Sequence, residues 1–524
     1  MKKFTFLAIL LVASLIAQAQ SQDAIKYAGT ISKDDLAKHL KILASDAYEG
    51  RETGEKGQKM AAEYIVNHFK GLGLSAPVKA NANPYLQEVK LAKKSWGEVY
   101  VQAKKNKLVH FQDYFTRGDF STNGKEESVE IVFVGYGIDS ETYSDYKDID
   151  VKGKFVVVFG GEPKGADGKY LISKAEKPSK AAETGSKLRA ARQKGAKGIF
   201  IAYDTDAAFK QTLSVYKSYL SAPSLTLASE KNNDDMAFFS TSPSQIPVLL
   251  GLKPKKFNKA IAKMQKEGKA IAGAFSSTIL IKSERKIEPA SSENVLGYME
   301  GTDKKDELLV VTAHYDHIGI TNGEVNNGAD DDGSGTVTVL EIAEAFAKAK
   351  AEGKSPRRSI LFMTVTGEEK GLLGSEYYSE NPIFPLSSTV ANLNIDMVGR
   401  VDEKHKDNPN YIYIIGSDML SSDLHQLSEE TAKKYAPDVA LDYLYNSEDD
   451  PNRFYYRSDH YNFAKHNIPV VFYFNGTHED YHKPTDDVEK INFDKMEKIA
   501  RLIFSTAWEI ANREQRLVVD KAKK

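Results

Sequence analysis

Five short segments carry residue types that could hold a metal ion and activate water: His314 in Ala313-His314-Tyr315-Asp316, the triplet Asp330-Asp331-Asp332, the pair Glu368-Glu369, Asp396, and His482. Imidazole and carboxylate are the donors zinc takes, and a two-metal site shares one carboxylate or water across ~3.5 to 4 Å. Two histidines and three carboxylates meet that need. Two dications against three carboxylates leave one positive charge, which a bridging hydroxide neutralises, so the nucleophile would be present near neutral pH. Neighbouring side chains in extended backbone point opposite ways, so one of Glu368 and Glu369 can bind metal while the other faces the bound water. Asp316 falls two residues past His314, where its carboxylate could hold the imidazole tautomer. Residue chemistry alone does not choose among Asp330, Asp331 and Asp332, one of which could cap the helix after Gly335.

The elements that must position these residues are legible as apolar runs. Strands are read at 308–313, 358–365, 390–395, 411–415 and 468–474, and helices near 335–350, 420–434 and 492–512. His314, Glu368-Glu369, Asp396 and His482 each lie at or beyond the end of one of these strands. Alternation of this kind predicts an α/β fold, a mostly parallel sheet with helices on both faces, and sites in such sheets form beyond the carboxyl ends of the strands.

Upstream, residues 32–72 read as helix, loop, helix, with Leu36, Leu40 and Leu43 on one buried face and Met60, Ala61, Tyr64, Ile65 and Phe69 on the next. The Glu49-Gly50-Arg51 turn between them reads as a solvated surface turn. From 96 to 285 the texture becomes β-rich, with short runs at 129–134, 154–159 and 198–202 and one helix near 185–194. No run there ends in a His or acidic cluster, so this segment reads as a structural or binding domain without chemistry of its own.

A chain of 524 residues exceeds one ordinary core and implies more than one folded unit. Lys plus Arg (71) nearly cancels Asp plus Glu (73), which gives no support to a nucleic-acid or anionic-membrane partner. Met1-Lys2-Lys3, the apolar run 4–17 and Ala17-Gln18-Ala19 form a secretory signal peptide over 1–19, too short to span a bilayer. The mature protein is therefore expected to be exported, periplasmic or extracellular, without membrane insertion. With no cysteine, a thiol nucleophile, a Cys zinc site and a disulfide framework are excluded.

Five motifs in order resemble the M28 family of di-zinc peptidases. They are Ala313-His314-Tyr315-Asp316, Gly328-Ala329-Asp330-Asp331-Asp332-Gly333-Ser334-Gly335, Gly367-Glu368-Glu369-Lys370-Gly371-Leu372, Asn394-Ile395-Asp396-Met397 and Tyr481-His482-Lys483-Pro484-Thr485-Asp486. The likeness covers 32–72 and most of 290–515. It implies that Asp331 bridges two Zn²⁺, that His314 and Asp396 complete one and Glu369 and His482 the other, that Glu368 is the general base, and that Tyr481 stabilises the oxyanion. Segment 96–285 resembles the protease-associated (PA) domain often inserted in this family, through Val132-Phe133-Val134-Gly135-Tyr136-Gly137 and Ala190-Ala191-Arg192-Gln193-Lys194-Gly195-Ala196. The organisation implied is a signal peptide (1–19), the two parts of a catalytic domain (23–95 and 286–515) and the insertion (96–285).

His478-Glu479-Asp480-Tyr481-His482 also matches HExxH, which binds zinc only on a helix. Here a strand ends before it and Pro484 follows, so His478 is expected to be a loop residue. No G-x-S-x-G elbow occurs for serine catalysis. The loop 446–460, with Arg453, Arg457, Ser458, Asp459 and His460, is expected to border the pocket in a supporting role. The function implied is an aminopeptidase acting on peptides. A carboxypeptidase or dipeptidase on the same metals is the alternative among enzymes, and a non-catalytic binding protein using the insertion is the alternative outside them.

Overall fold

Alternating strands and helices in the C-terminal half build one open sheet, seen in a computed structural model that describes residues 21–79, 81–117, 120–165, 167–230, 236–267 and 273–521. The signal peptide expected over 1–19 lies outside the described residues. The chain divides into two compact units: one runs to Leu91 and takes in 226–228 and everything from Ala290, the other holds Ala92–Leu225 and Ser229–Pro289.

In the first unit the sheet is built from β1 (Ser276–Met299, its C-terminal part), β2 (Lys304–His314), β3 (Arg358–Val365), β4 (Thr389–Ile395), β5 (Tyr411–Ile415), β6 (Ala440–Asp442) and β7 (Val470–Phe474). Their spatial order is β6-β5-β7-β4-β2-β3-β1. The four central strands β3, β2, β4 and β7 are mutually parallel. β1 and β5 run antiparallel to their neighbours, and β6 lies parallel to β5 at the edge. Every residue of β3, β4, β5 and β7 is buried. Full burial on both faces makes β5 and β7 near-continuous apolar runs, while β3 and β4 also bury polar residues such as Arg358, Asn392 and Asn394.

The covering helices are α1 (Lys33–Leu43), α2 (Lys56–Gly71), α3 (Gly335–Ala351), α4 (Leu373–Glu380), α5 (Ser422–Tyr435), α6 (His460–Ala464) and α7 (Phe493–Asn512). One core packs Phe346 of α3 against Phe504 and Trp508 of α7. The core on the other face gathers Tyr378, Phe463, Phe472 and Phe474. Sequence periodicity missed α4 and α6 because helices of 8 and 5 residues are shorter than the window in which a helical pattern can be told from a strand or turn.

The second unit carries more helix than its sequence suggests. Glu127–Phe133, Phe155–Val158, Gly198–Ala202 and Ala237–Thr241 pair parallel in that order. Beside the expected helix, Thr184–Gln193, stand Asp206–Ser221, Gln245–Leu249 and Pro254–Glu267. Asp206–Ser221 buries only Phe209 and Leu213 and leaves Val215, Tyr216 and Tyr219 exposed. Apolar residues on both sides blur the helical period, which is why this helix escaped a pattern reading. Among the described residues no helix is long and apolar enough to cross a membrane.

Candidate metal centre

The strand ends deliver the chemistry. β2 stops at His314, β3 runs into the Glu368-Glu369 turn, β4 is followed by Asp396, and the loop after β7 carries Tyr481 and His482. The loop between β2 and α3 brings the Asp triplet to the same place.

Asp331 sits between two histidines. His314 Nε2 lies 3.2 Å from its Oδ1, and His482 Nε2 lies 3.1 Å from its Oδ2. Around His314 stand Asp396 Oδ1 at 3.7 Å and Glu368 Oε2 at 4.0 Å. Around His482 stands Glu369 Oε2 at 3.1 Å. Two groups able to hold a metal thus share Asp331, one with His314 and Asp396, the other with His317 and Glu369.

The geometry separates the three aspartates that residue chemistry left open. Asp330 spends its carboxylate on Gly399 N at 2.7 Å, Ser334 Oγ at 3.0 Å and Asn475 Nδ2 at 3.1 Å. Asp332 Oδ1 accepts from Met397 N and from Gly335 N at the start of α3, the cap expected of one member. Asp486 Oδ2 takes the amides of Asp330 and Asp331 at 3.0 and 3.1 Å, which aims the middle carboxylate at the histidines.

Three expectations need correction. Glu368 and Glu369 lie in a turn, not in extended backbone, because Gly371 N and Leu372 N both close onto Glu368 O. The two carboxylates still diverge, one toward His314 and the other toward His482. For Asp316, the backbone carbonyl rather than the carboxylate takes His314 Nδ1 at 3.1 Å; Oδ1 stands off at 3.8 Å. That bond puts the proton on Nδ1 and leaves the Nε2 lone pair for a metal. The Asp316 carboxylate instead accepts from Glu368 N at 3.2 Å and Thr53 Oγ1 at 2.7 Å, fixing the turn that carries the expected base.

The third correction concerns Arg51, which is no surface residue. It is 1% exposed and donates to the carbonyls of Leu43, Tyr315, Asn327 and Gly328. Its neighbour Gly50, at φ +66°, is packed so tightly that a Cβ would stand 2.5 Å from Asn326 O. The contrast between a polar Gly-containing turn in sequence and a buried one in space arises because the turn's partners are backbone carbonyls, which leave no trace in sequence.

His317 went unread. Its Nδ1 is 2.9 Å from Glu369 Oε1 and 3.9 Å from Asp331 Oδ2, and the ring is fully buried. The spacing His314-Tyr315-Asp316-His317 was the available signal. His478 is a loop residue, with Nε2 3.2 Å from Asp330 Oδ2, and 475–482 form no helix.

In the loop 446–460, Ser458 Oγ donates to Asp396 Oδ2 at 2.6 Å and Asp459 takes Ser375 Oγ at 2.5 Å. Arg457 and Phe454 line an open pocket together with Phe472, Asp331, Glu368 and Tyr481. The Tyr481 ring stacks on His482 with centroids 3.9 Å apart.

The donor set fits a pair of cations. Among the described residues, His314 Nε2, His317 Nδ1, Asp331 Oδ2 and Glu369 Oε1 are buried and lack hydrogen-bond partners, though they converge within a few ångströms. Buried polar atoms without partners cost free energy, and a shared cation would satisfy all of them at once. The electrostatics agree. Burial opposes the imidazolium of His482, yet Asp331 and Glu369 raise its pKa to about 10. Burial likewise opposes ionisation of Asp331, yet the imidazoles of His314 and His482 beside it hold it well below the usual range. Glu368 is pushed well above the carboxylate range by burial, against His314 and with Glu369 and Asp396. The cluster carries excess negative charge and draws protons where cations would stand.

This α/β architecture is that of solved aminopeptidases. The aminopeptidase from Aneurinibacillus sp. strain AM-1 superposes with a TM-score of 0.56 at 18% identity, over 95% of this chain and 98% of that one. BSAP, a zinc aminopeptidase from Bacillus subtilis, gives 0.51 at 19% identity, over 94% and 97%. In sequence, residues 294–507, which hold every candidate ligand of this centre, match peptidase family M28. Aminopeptidase YwaD of Bacillus subtilis (strain 168) is 25% identical over 287 residues, 53% of this chain and 57% of the relative. The match spans only 52 to 57% of the length of the first such relatives.

Proposed function

We propose that this protein is a zinc-dependent exopeptidase of the M28 type, an aminopeptidase that removes N-terminal residues from peptides with two metal ions. The observation that carries the reading is Asp331, shared between a His314–Asp396 set and a Glu369–His482 set, with Glu368 facing the same space. Two zinc ions held there would polarise a scissile carbonyl and lower the pKa of a shared water toward neutrality. Glu368 takes the proton of the attacking water and hands it to the departing amine, a role suited to a carboxylate with a raised pKa. Tyr481, at the pocket wall beside His482, donates a hydrogen bond to the developing oxyanion.

A carboxypeptidase or dipeptidase reading draws on one observation, the exposed guanidinium of Arg457 in the same pocket, which could pair with a substrate carboxylate. One experiment separates the readings: cleavage of free, N-blocked and C-blocked peptides with and without a chelator. An aminopeptidase ignores a C-terminal block and stops at an N-terminal one. The opposite pattern would overturn the assignment, and cleavage unaffected by chelator would remove the metals from it.

The leader-like residues 1–19 and the PA-like motifs of the second unit support export and an inserted PA domain as parts of the same proposal. N-terminal sequencing of the protein recovered from the cell envelope or medium tests the first. A mature chain still beginning at Met1 would refute it.

A further inference from the structure

Three covering helices of the first unit bring together a second set of metal-ligating side chains, away from the strand ends. α1 contributes His39, α2 contributes His68, and α3 contributes Glu341 and Glu344. Ligand atoms of His39, His68 and Glu344 all lie within 4.8 Å of one another. His39 Nε2 is 3.5 Å from Glu341 Oε1. Two donors held by one zinc at ~2.0 to 2.1 Å in tetrahedral geometry stand roughly 3.3 Å apart, so the His39–Glu341 spacing already fits.

The outer contacts of the two imidazoles are those of metal ligands. His68 Nε2 faces the Leu340 carbonyl at 3.4 Å; a carbonyl only accepts, so Nε2 carries the proton and Nδ1 keeps its lone pair. His39 Nδ1 is bonded to Tyr64 Oη at 2.7 Å, which leaves Nε2 toward Glu341. A ligating histidine almost always gives its other nitrogen to an oxygen in this way. The rings meet edge to face, 4.8 Å between centroids.

A second, independent observation points into the same space. Glu341 is 1% exposed, and among the described residues its Oε1 has no hydrogen-bond partner. Glu344 gives one oxygen to Lys348 at 2.8 Å and keeps the other. An unpartnered buried carboxylate oxygen is costly.

We propose that His39, His68, Glu341 and Glu344 form a separate site for a late first-row dication, Zn²⁺ in the first instance, which clamps α1 and α2 to α3. Two imidazoles and two carboxylates are a zinc-type donor set, and without a thiolate they do not favour Cu(I). The site is structural: its donors come from three covering helices, away from the strand ends and the pocket that holds Glu368.

The test uses the full chain loaded with Zn²⁺ and then dialysed. Anomalous scattering at the zinc edge should give a peak enclosed by these four side chains, in addition to density at Asp331. Metal analysis should fall by one equivalent in His39→Gln and in His68→Gln while peptide cleavage is kept. Zinc affinity at this site should drop by at least the ~10 to 100-fold that loss of an outer partner alone costs. His314→Ala should strip metal from Asp331 and leave this ion, so that the two sites fail separately. Absence of the anomalous peak, with equal metal content in the variants, would reduce the cluster to a hydrogen-bonded His39–Glu341 pair and overturn the proposal. The wild-type crystal decides even if a variant does not fold.

Discussion

The Nε of Arg51 donates to the backbone carbonyl of Tyr315 at 2.9 Å, one residue past His314. The same guanidinium reaches Gly328 and Asn327 at the entry to the Asp triplet, and Leu43 at the end of α1. One side chain from the helix–turn–helix segment therefore fixes the distance between the end of β2 and the loop that carries Asp331. Burial works against its charge, while Asp316, Asp332, Asp331 and Asp486 favour it.

Replacing Arg51 with Met should strip this donor from the carbonyls of Leu43, Tyr315 and Asn327, leave Gly328 O with only the Gly333 amide, and take the cation from an acidic cluster. Each unsatisfied buried group costs about 1 to 3 kcal/mol, and breaking a buried charge arrangement about 3 to 5. A loss of 3 kcal/mol or more in denaturant unfolding is expected, with zinc retention reduced in the protein that folds. Arg51→Lys should not rescue it, since an ammonium cannot reproduce the planar fork. Unfolding curves matching those of the unmodified protein would show that the fork is dispensable.

Glu368→Gln should keep metal and fold but lower kcat by ~10² to 10⁴, because an amide cannot accept the proton. Metal content and steady-state kinetics on the same preparation separate this from loss of a ligand. Unchanged kcat would remove Glu368 from the role of base.

His317→Ala should weaken retention of one metal ion. His317 Nδ1 lies 2.9 Å from Glu369 Oε1 while His482 Nε2 lies 3.1 Å from Oε2, so the ring either ligates the ion or orients the carboxylate that does. Loss of such a partner costs ~10 to 100-fold in affinity. Competition with a chromophoric chelator measures it, and equal zinc affinity in the variant would make His317 a packing residue only.

How much of this was legible in the sequence depends on what holds each residue. His314, Asp396 and the Glu368-Glu369 pair were visible because strand ends are written as apolar runs, and β3, β4 and β7 are buried along their whole length. Residue chemistry did not separate Asp331 from its neighbours, and only the family likeness pointed to it. Backbone amides and Asn475 claim Asp330 and Asp332, and those partners arrive from residues 65 to 145 positions away. Arg51 was misread for the same reason, since its acceptors are carbonyls and carry no side-chain signature. His317 was hidden in plain view beside a stronger motif. In the second unit, Asp206–Ser221 exposes tyrosines on its outer side, so amphipathicity gave no lead.

Acid should destabilise the first unit through His460, and His460→Phe should remove that dependence. The ring is fully buried and stacks on Phe472 with centroids 4.7 Å apart. Burial, opposed only by the Tyr455 backbone, lowers its pKa to about 3. The unfolded value is about 6.5, so between pH 6.5 and 3 the unfolded chain binds more protons and stability falls as pH drops. The loss is about 1.4 kcal/mol per pH unit, or about 2 kcal/mol at pH 5 relative to pH 7 and above. His39, whose pKa is also lowered, adds loss of the same sign, so the informative quantity is the difference between the parent and the variant. Phenylalanine keeps the aromatic stack on Phe472 and cannot charge, so denaturant midpoints at pH 7.5 and pH 5.0 should lie closer together in His460→Phe than in the parent. Equal pH shifts in the two proteins would mean that His460 takes up its proton in the folded state without penalty.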